Sequence, residues 1–425
     1  MSWQQQSSPN WAEPLEFARH FAAHDMALLY SGLRERFSGA YSYLFLEPQQ
    51  VVEAKNWADL PTGDDASDLP QWVGYVGYEM GDDVPLGAPS FITTPPARFI
   101  RYGHLFRFDH ASQKIDYFTQ PTINAITLPS AAAIEHSPSF AVQSLRSNFT
   151  RAEYESCITR TVEQIHAGNF YQANITRKFF GEFEIAPNSW ALYEKLCRIS
   201  PSPYSAYIRH GESAIVSSSP ECFLSVDASG RITTRPIKGS ARRDDDATRD
   251  AAIQQALITS DKNHAENLMI VDLMRHDLSR VSLTGSVEVV EQSALYSYAT
   301  IHHLISTIQA QKQPHQSSQD VVRACFPPGS MTGAPKIAAM QWCAAQERMQ
   351  RGIYSGAIGW FGSNNSCDLS VVIRTLVIDR NRFEFQVGGG IVADSTPADE
   401  WRETLAKARA VAGVLGLTED DLAKI

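Results

Sequence analysis

The strand-like segments of this 425-residue chain come in groups, and this grouping is the feature that most limits how the chain can fold. Runs rich in aromatic and β-branched residues follow one another between glycine and proline turns. They lie at 72–78, 171–177, 213–217, 369–378 and 383–387, with helix-like patterns near 191–199, 247–260, 264–280, 334–350 and 397–414. This order is not the strict alternation of a doubly wound parallel sheet, so the sequence predicts an α+β fold with antiparallel sheets.

The composition divides the chain into three parts. Residues 1–120 alternate strand-like pieces with turns, and residues 121–145 lose that pattern and are predicted to be a linker or crossover. Residues 146–425 form the larger predicted domain. Near its start, Thr150 and Glu153 have the spacing of a capping box, which predicts a helix followed by a strand at 171–177.

The charge balance excludes several classes of function. The formal net charge is −10, and no basic run interleaved with aromatic residues is present, which argues against a nucleic-acid partner. The six cysteines have no metal-like spacing, and no apolar run approaches the length of about 18 residues needed to span a bilayer. We therefore expect a cytoplasmic protein in which any anion site carries its own cations.

Lys238 is the strongest candidate for a catalytic residue. It lies between Pro236 and Gly239 in the segment RPIKGS, which predicts a tight loop. A lysine with an ordinary pKa is neutral in about one molecule in 10³ at pH 7, so an environment that lowers the pKa makes the amine a nucleophile.

Acidic residues in two distant segments are candidate metal ligands. Glu266 lies at the start of an apolar helix, and Glu400 and Glu403 are three residues apart in a helix that Thr396 is predicted to cap. Carboxylates in the first turns of helices are often structural. As a pair from two segments they would suit Mg²⁺, which takes one or two protein carboxylates and fills its other positions with water and an anionic ligand.

Three further features suit an anionic substrate. Gly388, Gly389 and Gly390 are predicted to form a loop whose backbone N–H groups bind a carboxylate. Arg374 interrupts a β-branched strand, where a charge is costly unless it meets a ligand. The segment 327–336, which contains Ser330, is predicted to be a rigid loop that opens a helix.

Two residues are candidates for proton transfer. Glu221 follows the segment SSSP, and His303 lies in a strand-like run. A single glutamate or histidine in such a context is more often a structural partner, so this assignment depends on what surrounds each side chain.

Six segments carry further motifs: SSSPECFL, RPIKGS, HAENLMIVDLMRHDLSRV, PPGSMTGAPK, IYSGAIGWF and VGGGIVADSTPADEWRETLAKA. Together and in this order they resemble the chorismate-binding enzymes, which include anthranilate, aminodeoxychorismate, isochorismate and salicylate synthases. The resemblance covers about residues 145–415, and LLYSG and YVGYEMG extend it less specifically to the N-terminal third. It implies large antiparallel β-sheets packed as a sandwich with flanking helices.

The resemblance also implies an activity. The lysine of the Pro-Ile-Lys-Gly segment is typical of aminodeoxychorismate synthase component I, whereas anthranilate synthases usually have alanine there. Chorismate and ammonia would then give 4-amino-4-deoxychorismate, with Lys238 as nucleophile and Glu221 as acid. By the same resemblance, Glu266 and Glu403 hold Mg²⁺, and His303 lies beside the ring. The residues similar to those that bind the substrate carboxylates are Ser330, Tyr354, Arg374 and Gly388 to Gly390.

A partner and several alternatives follow from the same resemblance. The chain has no glutaminase cysteine, so we expect a separate glutamine amidotransferase to deliver the ammonia. Anthranilate synthase, isochorismate synthase and a catalytically silent chorismate-binding subunit stay open as alternatives.

The chain departs from its relatives at three positions. Asn263 stands where an acidic residue is frequent, His276 where asparagine is common, and Cys222 where arginine is common. These departures bear on metal affinity and on the surroundings of Glu221. Ser31 matches a serine that binds tryptophan in some relatives.

Overall fold

The structure, a computed structural model, describes residues 3–34, 39–63, 67–126, 140–298 and 301–425. Within these ranges it contains twenty β-strands and ten α-helices. The strands are β1 (Gln4–Gln6), β2 (Met26–Tyr30), β3 (Tyr41–Ala54), β4 (Pro70–Val76), β5 (Ala97–Asp109), β6 (Lys114–Thr119), β7 (Val142–Ser147), β8 (Gln172–Phe183), β9 (Tyr204–His210), β10 (Ser213–Ser219), β11 (Cys222–Val226), β12 (Arg231–Arg235), β13 (Ile237–Arg242), β14 (Glu288–Ser297), β15 (Ile301–Gln311), β16 (Gly333–Ala334), β17 (Ala357–Gly362), β18 (Cys367–Val371), β19 (Thr375–Asp379) and β20 (Arg382–Ile391).

The helices lie between groups of strands, as the sequence predicts. They are α1 (Pro14–Arg19), α2 (Arg151–His166), α3 (Ser189–Ile199), α4 (Ala247–Ile258), α5 (Asp261–Ser279), α6 (Ser318–Cys325), α7 (Gly329–Thr332), α8 (Lys336–Glu347), α9 (Pro397–Val414) and α10 (Glu419–Ala423). In the described part of the chain, none of them combines the length and the hydropathy that crossing a bilayer requires.

Antiparallel pairing joins the named strands into one continuous sheet with two wings. The long strands β3 and β5 pair along their whole length, from Tyr41 opposite Asp109 to Ala54 opposite Ala97. One wing continues from β3 through β2, β9, β10, β19, β20, β8 and β7. The other continues from β5 through β4, β17, β18, β11, β12, β15 and β14. The predicted α+β class with large antiparallel sheets is confirmed.

The two wings pack face to face, which gives the predicted sandwich. Val73 and Ile358 of one wing share a buried cluster with Ile215 and Val377 of the other. Alternate residues point away from this interior. Trp72, for example, packs in a separate cluster beneath helices α5 and α6.

Helices cover the outer faces of both wings. Helices α3 and α9 cover the first wing through a cluster that includes Leu196, Val411 and Phe385. Helix α5 covers the second wing, where Ile270 and Met274 pack with strand residues of β11, β12 and β15. The predicted cap of α2 is present: the Thr150 side chain accepts from the Glu153 N–H, and the Glu153 carboxylate accepts from the Thr150 N–H. Thr396 likewise accepts from the backbone N–H of Asp399 at the start of α9.

Hydrogen bonding does not stop at residue 120, where the first predicted part ends. Strand β2 pairs with β9, and β4 pairs with β17, so strands on both sides of residue 120 lie in one sheet. Of the predicted linker 121–145, residues 127–139 lie outside the described residues, and β7 begins at Val142. The division into 1–120 and 146–425 stays a prediction.

Candidate active site

Lys238 lies in a strand and not in the predicted loop. Strand β13 pairs with β15, and the register shifts between Ile237 and Ser240, which is a β-bulge. Gly239 occupies this bulge with φ +95°, a conformation that glycine adopts without strain. The flanking proline and glycine suggested a turn, but the neighbouring strand β15 extends the backbone instead. The bulge sets the direction in which the Lys238 side chain leaves the sheet.

The environment of Lys238 lowers the pKa of its amine. Burial lowers the pKa of Lys238 because it disfavours the ammonium, and the nearby Lys407 charge acts in the same direction. The carboxylates of Glu266, Glu221 and Glu403 oppose this shift. The amine therefore lies near all three carboxylates. Its pKa is below the usual value, which is the direction that a nucleophilic lysine requires.

Glu221 is a buried carboxyl group with a raised pKa. It lies between β10 and β11 and is only 5% exposed. Burial raises its pKa to about 7, and a hydrogen bond from the Ser330 side chain and the Lys238 charge act in the opposite direction. A carboxyl group with a pKa near 7 is partly protonated at neutral pH, so Glu221 can donate a proton to a leaving group.

Arg374 lies at a break between two strands. The sequence predicts a single strand over 369–378, and this is wrong: β18 ends at Val371 and β19 begins at Thr375. Arg374 has φ +51°, and its carbonyl accepts a hydrogen bond from the Ser218 N–H at 3.2 Å. Burial lowers the pKa of the Arg374 guanidinium, and Glu221 is the carboxylate that opposes this effect.

His303 is held as a neutral ring beside Arg374. Its Nδ1 lies 2.5 Å from Ser240 Oγ, and its buried Nε2 has no hydrogen-bond partner among the described residues. Burial lowers the pKa of His303 to about 3, and the Arg374 charge acts in the same direction. At neutral pH the ring is therefore a hydrogen-bonding group towards a ligand, and its protonated form is strongly disfavoured.

The three glycines are the end of strand β20 and not the predicted loop. Gly388, Gly389 and Gly390 are opposite Thr176, Ile175 and Asn174 of β8. The glycine run suggested a loop because glycine weakens isolated strands, but the partner strand β8 supplies the pairing. A Cβ atom at Gly389 would lie 2.7 Å from Glu400 Oε2 and 3.3 Å from Glu403 Oε1. The absence of side chains therefore lets helix α9 bring its carboxylates against the strand.

The three candidate metal ligands lie on α5 and α9. Glu400 is 4% exposed; its Oε1 accepts from Ser395 Oγ at 2.7 Å, and its buried Oε2 has no partner in the described part of the chain. Burial, together with the charge of Glu403, raises the pKa of Glu400 to about 7. Glu403 Oε1 lies 2.6 Å from Lys407 Nζ, and Glu266 Oε1 lies 3.9 Å from Lys262 Nζ.

This donor set fits magnesium and does not fit a metal held by protein alone. No group of three or more His, Cys, Asp or Glu side chains within the described ranges is arranged to hold a metal ion. Mg²⁺ needs only one or two protein carboxylates when water and an anionic ligand complete its octahedron. The unpartnered Glu400 Oε2 beside Glu403 is the kind of buried oxygen that a cation would satisfy.

Ser330 and Tyr354 lie near Glu221. Ser330 lies in α7 and is hydrogen-bonded to Glu221. Tyr354 is buried, and its burial raises the pKa of the phenol well above the usual value. The guanidinium of Arg351 connects both segments, since its Nη1 donates to Met331 O at 2.8 Å and to Ser355 Oγ at 3.2 Å.

Two residues at this site were missed by the sequence analysis. Gln172 is fully buried, neither atom of its amide has a partner among the described residues, and its Nε2 would lie 2.3 Å from a Cβ atom at Gly390. Lys407 donates to Gly388 O at 2.8 Å as well as pairing with Glu403. The four-residue spacing of Glu403 and Lys407 could have indicated the second of these. Nothing in the sequence around Gln172 distinguishes it from an ordinary strand residue.

The three departures from the related sequences lie at different places. The Asn263 side chain is next to Gly239, at 3.2 Å from the position of a Cβ atom there. Cys222 is buried at the start of β11, directly after Glu221. His276 is exposed near the end of α5.

Ser31 lies at a cavity of about 540 Å³ between β2, β9 and β17. Its Oγ donates to Tyr41 O at 2.9 Å. Tyr43, Trp360 and Asp368 also line this cavity, whereas Lys238 does not. Binding of tryptophan there stays a prediction.

The geometry thus joins an amine, a carboxylic acid, a carboxylate cluster and an arginine at one place. A model of the chorismate binding enzyme family matches residues 15–413. The chain belongs to the chorismate-binding enzymes.

The relatives carry more than one name. Aminodeoxychorismate synthase of Streptomyces griseus is 37% identical over 354 residues, which cover 79% of this chain and 49% of that protein. The chain therefore spans about half the length of this relative. Anthranilate synthase component 1 of Pseudomonas putida is 34% identical over 377 residues, covering 83% of this chain and 76% of that protein.

The fold is similar to that of a solved structure. The crystal structure of anthranilate synthase component I from Streptococcus pneumoniae TIGR4 has a TM-score of 0.77 and 26% sequence identity. The similarity covers 89% of this chain and 93% of that one.

Proposed function

We propose that this chain is an aminodeoxychorismate synthase component I, which converts chorismate and ammonia to 4-amino-4-deoxychorismate, the precursor of p-aminobenzoate and folate. The observation that carries the proposal is the position of Lys238, whose amine faces Glu221, Glu266 and Glu403 and has a lowered pKa. A nucleophilic amine at this position serves a substitution at the ring. In an enzyme that adds water or ammonia directly, the same amine would act as a general base, and no adduct on Lys238 would form.

In the first step Lys238 acts as the nucleophile and Glu221 acts as the acid. The Lys238 Nζ lone pair forms a bond to ring C2, the ring double bonds shift, and the C4–oxygen bond breaks. Hydroxide is a poor leaving group, so Glu221 protonates the departing oxygen and water leaves. The pKa of about 7 gives Glu221 the proton that this step requires.

The second step reverses the first with a different nucleophile. Ammonia forms a bond to C4, the double bonds shift back, and the C2–Nζ bond breaks. The first step leaves the adduct nitrogen as a secondary ammonium, so Lys238 departs as a neutral amine. Glu221, now a carboxylate, takes up the proton that the new C4 ammonium releases. The enzyme thereby returns to its starting protonation state.

The remaining residues hold the two carboxylates of the substrate. Arg374 and the end of β20 supply donors, Tyr354 and Ser330 border the ring, and His303 presents an unpartnered Nε2. Mg²⁺ held by Glu266 and Glu403, with Glu400 beside them, would supply the positive charge that a dianion needs in a protein with a net charge of −10.

A separate partner is part of the proposal. The name of the Pseudomonas putida relative marks it as component 1 of its synthase. Free ammonia is scarce at neutral pH, so we propose that a glutamine amidotransferase subunit delivers it to this chain.

A second candidate function is anthranilate synthase component I, because a relative of that name is 34% identical to the chain. Incubation of the protein with chorismate, Mg²⁺ and an ammonium salt separates the two candidates. The proposal predicts a product that turns into p-aminobenzoate only after addition of a lyase. Fluorescent anthranilate without a lyase would identify the second candidate, and chorismate binding without turnover would identify a silent subunit.

A further inference from the structure

We propose that Lys407 and Mg²⁺ compete for Glu403, so that metal binding transfers the Lys407 ammonium from the enzyme's own carboxylate to a carboxylate of the substrate. The inference rests on the proposed function, from which it takes the metal and the dianionic substrate. It gives Lys407 a role in coupling the two ligands, beyond contact with either of them.

The contacts of Lys407 place its ammonium where the metal would have to bind. Its Nζ lies 2.6 Å from Glu403 Oε1 and donates to Gly388 O at 2.8 Å. Glu403 Oε1 is also the carboxylate oxygen that faces Gly389, next to the unpartnered Glu400 Oε2. The ammonium therefore occupies the side of Glu403 that turns towards the carboxylate cluster.

The two cations cannot both remain on this oxygen. Mg²⁺ binds carboxylate oxygen at about 2.0–2.1 Å, so an ammonium on the same oxygen would lie within a few ångströms of a doubly charged ion. Since like charges at that distance repel strongly in a partly buried site, one of them leaves. Lys407 can move because its side chain is about half exposed, at 49%, and has a flexible chain of four carbons.

Glu266, the other proposed metal ligand, also has a lysine beside it, but at a longer distance. Glu266 pairs with Lys262, four residues before it on α5, but at 3.9 Å and with the lysine 53% exposed. Each carboxylate thus has a lysine from its own helix as counter-cation before any metal is present. Lys407 is the stronger competitor for the metal, because its ammonium contacts both Glu403 and the Gly388 carbonyl at short distances.

Release of Lys407 has a consequence for the substrate. Once it leaves Glu403, the ammonium keeps the Gly388 carbonyl as partner but has lost its counter-charge. A carboxylate of the substrate restores that charge, so metal and substrate each favour binding of the other. By thermodynamic linkage the coupling factor must be the same in both directions.

Calorimetric titration of MgCl₂ into the substrate-free protein tests the competition directly. Lys407→Met should bind Mg²⁺ about three- to tenfold more tightly than the unchanged protein, the range expected for loss of one competing ion pair. Lys407→Gln provides a second variant in case the first folds poorly. Arg409→Met is the matched control: Arg409 lies on the same helix as Lys407 but pairs with Glu419 of α10, so the Mg²⁺ affinity of this variant should be unchanged.

A second titration tests the coupling. Chorismate is added to the Lys238→Ala background, in which the proposed first step is blocked, with and without MgCl₂. The metal should strengthen chorismate binding by a larger factor when Lys407 is present than in the Lys238→Ala, Lys407→Met double variant.

Each outcome has one meaning. Tighter Mg²⁺ binding in both Lys407 variants together with weaker coupling supports the exchange. Equal Mg²⁺ affinity in the unchanged protein and the variants overturns the exchange and leaves the proposed metal site intact. Absence of Mg²⁺ binding in all of them overturns both.

Discussion

Gly390 leaves only enough room for the amine of Lys238: a Cβ atom at Gly390 would lie 3.2 Å from Lys238 Nζ. The two residues are 152 positions apart in sequence and meet because β20 ends beside the bulge of β13. This contact places the proposed nucleophile against a stretch of bare backbone. The space that a side chain would fill at Gly390 is taken by the Gln172 amide and borders the Lys238 amine.

Removal of the Lys238 amine should abolish most of the activity. We expect Lys238→Ala to lower kcat for 4-amino-4-deoxychorismate formation by at least ~10², because the variant lacks the amine that forms the covalent bond. Steady-state kinetics with a coupled lyase measures this. Lys114→Ala, an exposed lysine at the start of β6, is the control. A Lys238→Ala variant with unchanged kcat would reduce the lysine to an electrostatic contact.

Glu221 should set the alkaline limit of the reaction. As an acid it must be protonated, and burial raises its pKa to about 7, so activity should fall as the pH rises through that value. Lys238 must be neutral to attack, so protonation of its amine should lower activity as the pH falls. Glu221→Gln should lower kcat by ~10²–10⁴ and leave no alkaline limb near pH 7. An unchanged alkaline limb in this variant would assign that limb to another group.

Glu400 should make the metal-free protein less stable as the pH rises. Burial raises its pKa from 4.5 to about 7, so the folded state binds the proton more tightly than the unfolded state. The stabilisation is fully present below about pH 4.5 and is lost as the pH rises through about 7. Glu400→Gln keeps a neutral side chain at every pH.

Urea unfolding with EDTA at pH 5 and pH 8 measures this effect. The unchanged protein should lose on the order of 1–3 kcal/mol more than Glu400→Gln between these two pH values. Glu288→Gln, at an exposed position at the start of β14, should behave like the unchanged protein. Identical pH dependence in Glu400→Gln and the unchanged protein would contradict a raised pKa.

A side chain at Gly389 should weaken binding of Mg²⁺. A Cβ atom there would lie 2.7 Å from Glu400 Oε2, so Gly389→Ala should displace the α9 carboxylates and weaken Mg²⁺ binding at least ~10-fold. Gly413→Ala is the matched control within α9, since its Cβ atom would have only ordinary contact at 3.9 Å with Ile199. That control should keep Mg²⁺ affinity and gain about 0.5–1 kcal/mol of stability. Equal metal affinity in both glycine variants would place the metal elsewhere.

Locally determined features were predictable from the sequence. The caps at Thr150 and Thr396 depend only on residues within one turn, and both are present as predicted. The grouping of strands likewise follows from periodicity along the chain, and it gave the correct fold class. The segments that carry Lys238, Glu221 and Glu403 have motifs that the sequence alone makes recognisable.

Features that depend on distant strands were not predictable. Lys238 was expected in a loop, and pairing of β13 with β15 makes it part of a bulged strand. The glycines 388–390 were expected in a loop, and pairing with β8 extends them. Gln172 becomes notable only when its unpartnered amide lies against Gly390. In each case the partner lies more than 50 residues away in sequence, where local composition carries no information.

The most direct test of the central claim is mass spectrometry of the protein after incubation with chorismate and Mg²⁺ without ammonia. The account predicts a covalent adduct with the mass of chorismate minus one water, and peptide mapping should locate it on Lys238. Addition of ammonium should release it as 4-amino-4-deoxychorismate. Turnover to that product with no adduct at Lys238, or an adduct on another residue, would contradict the account.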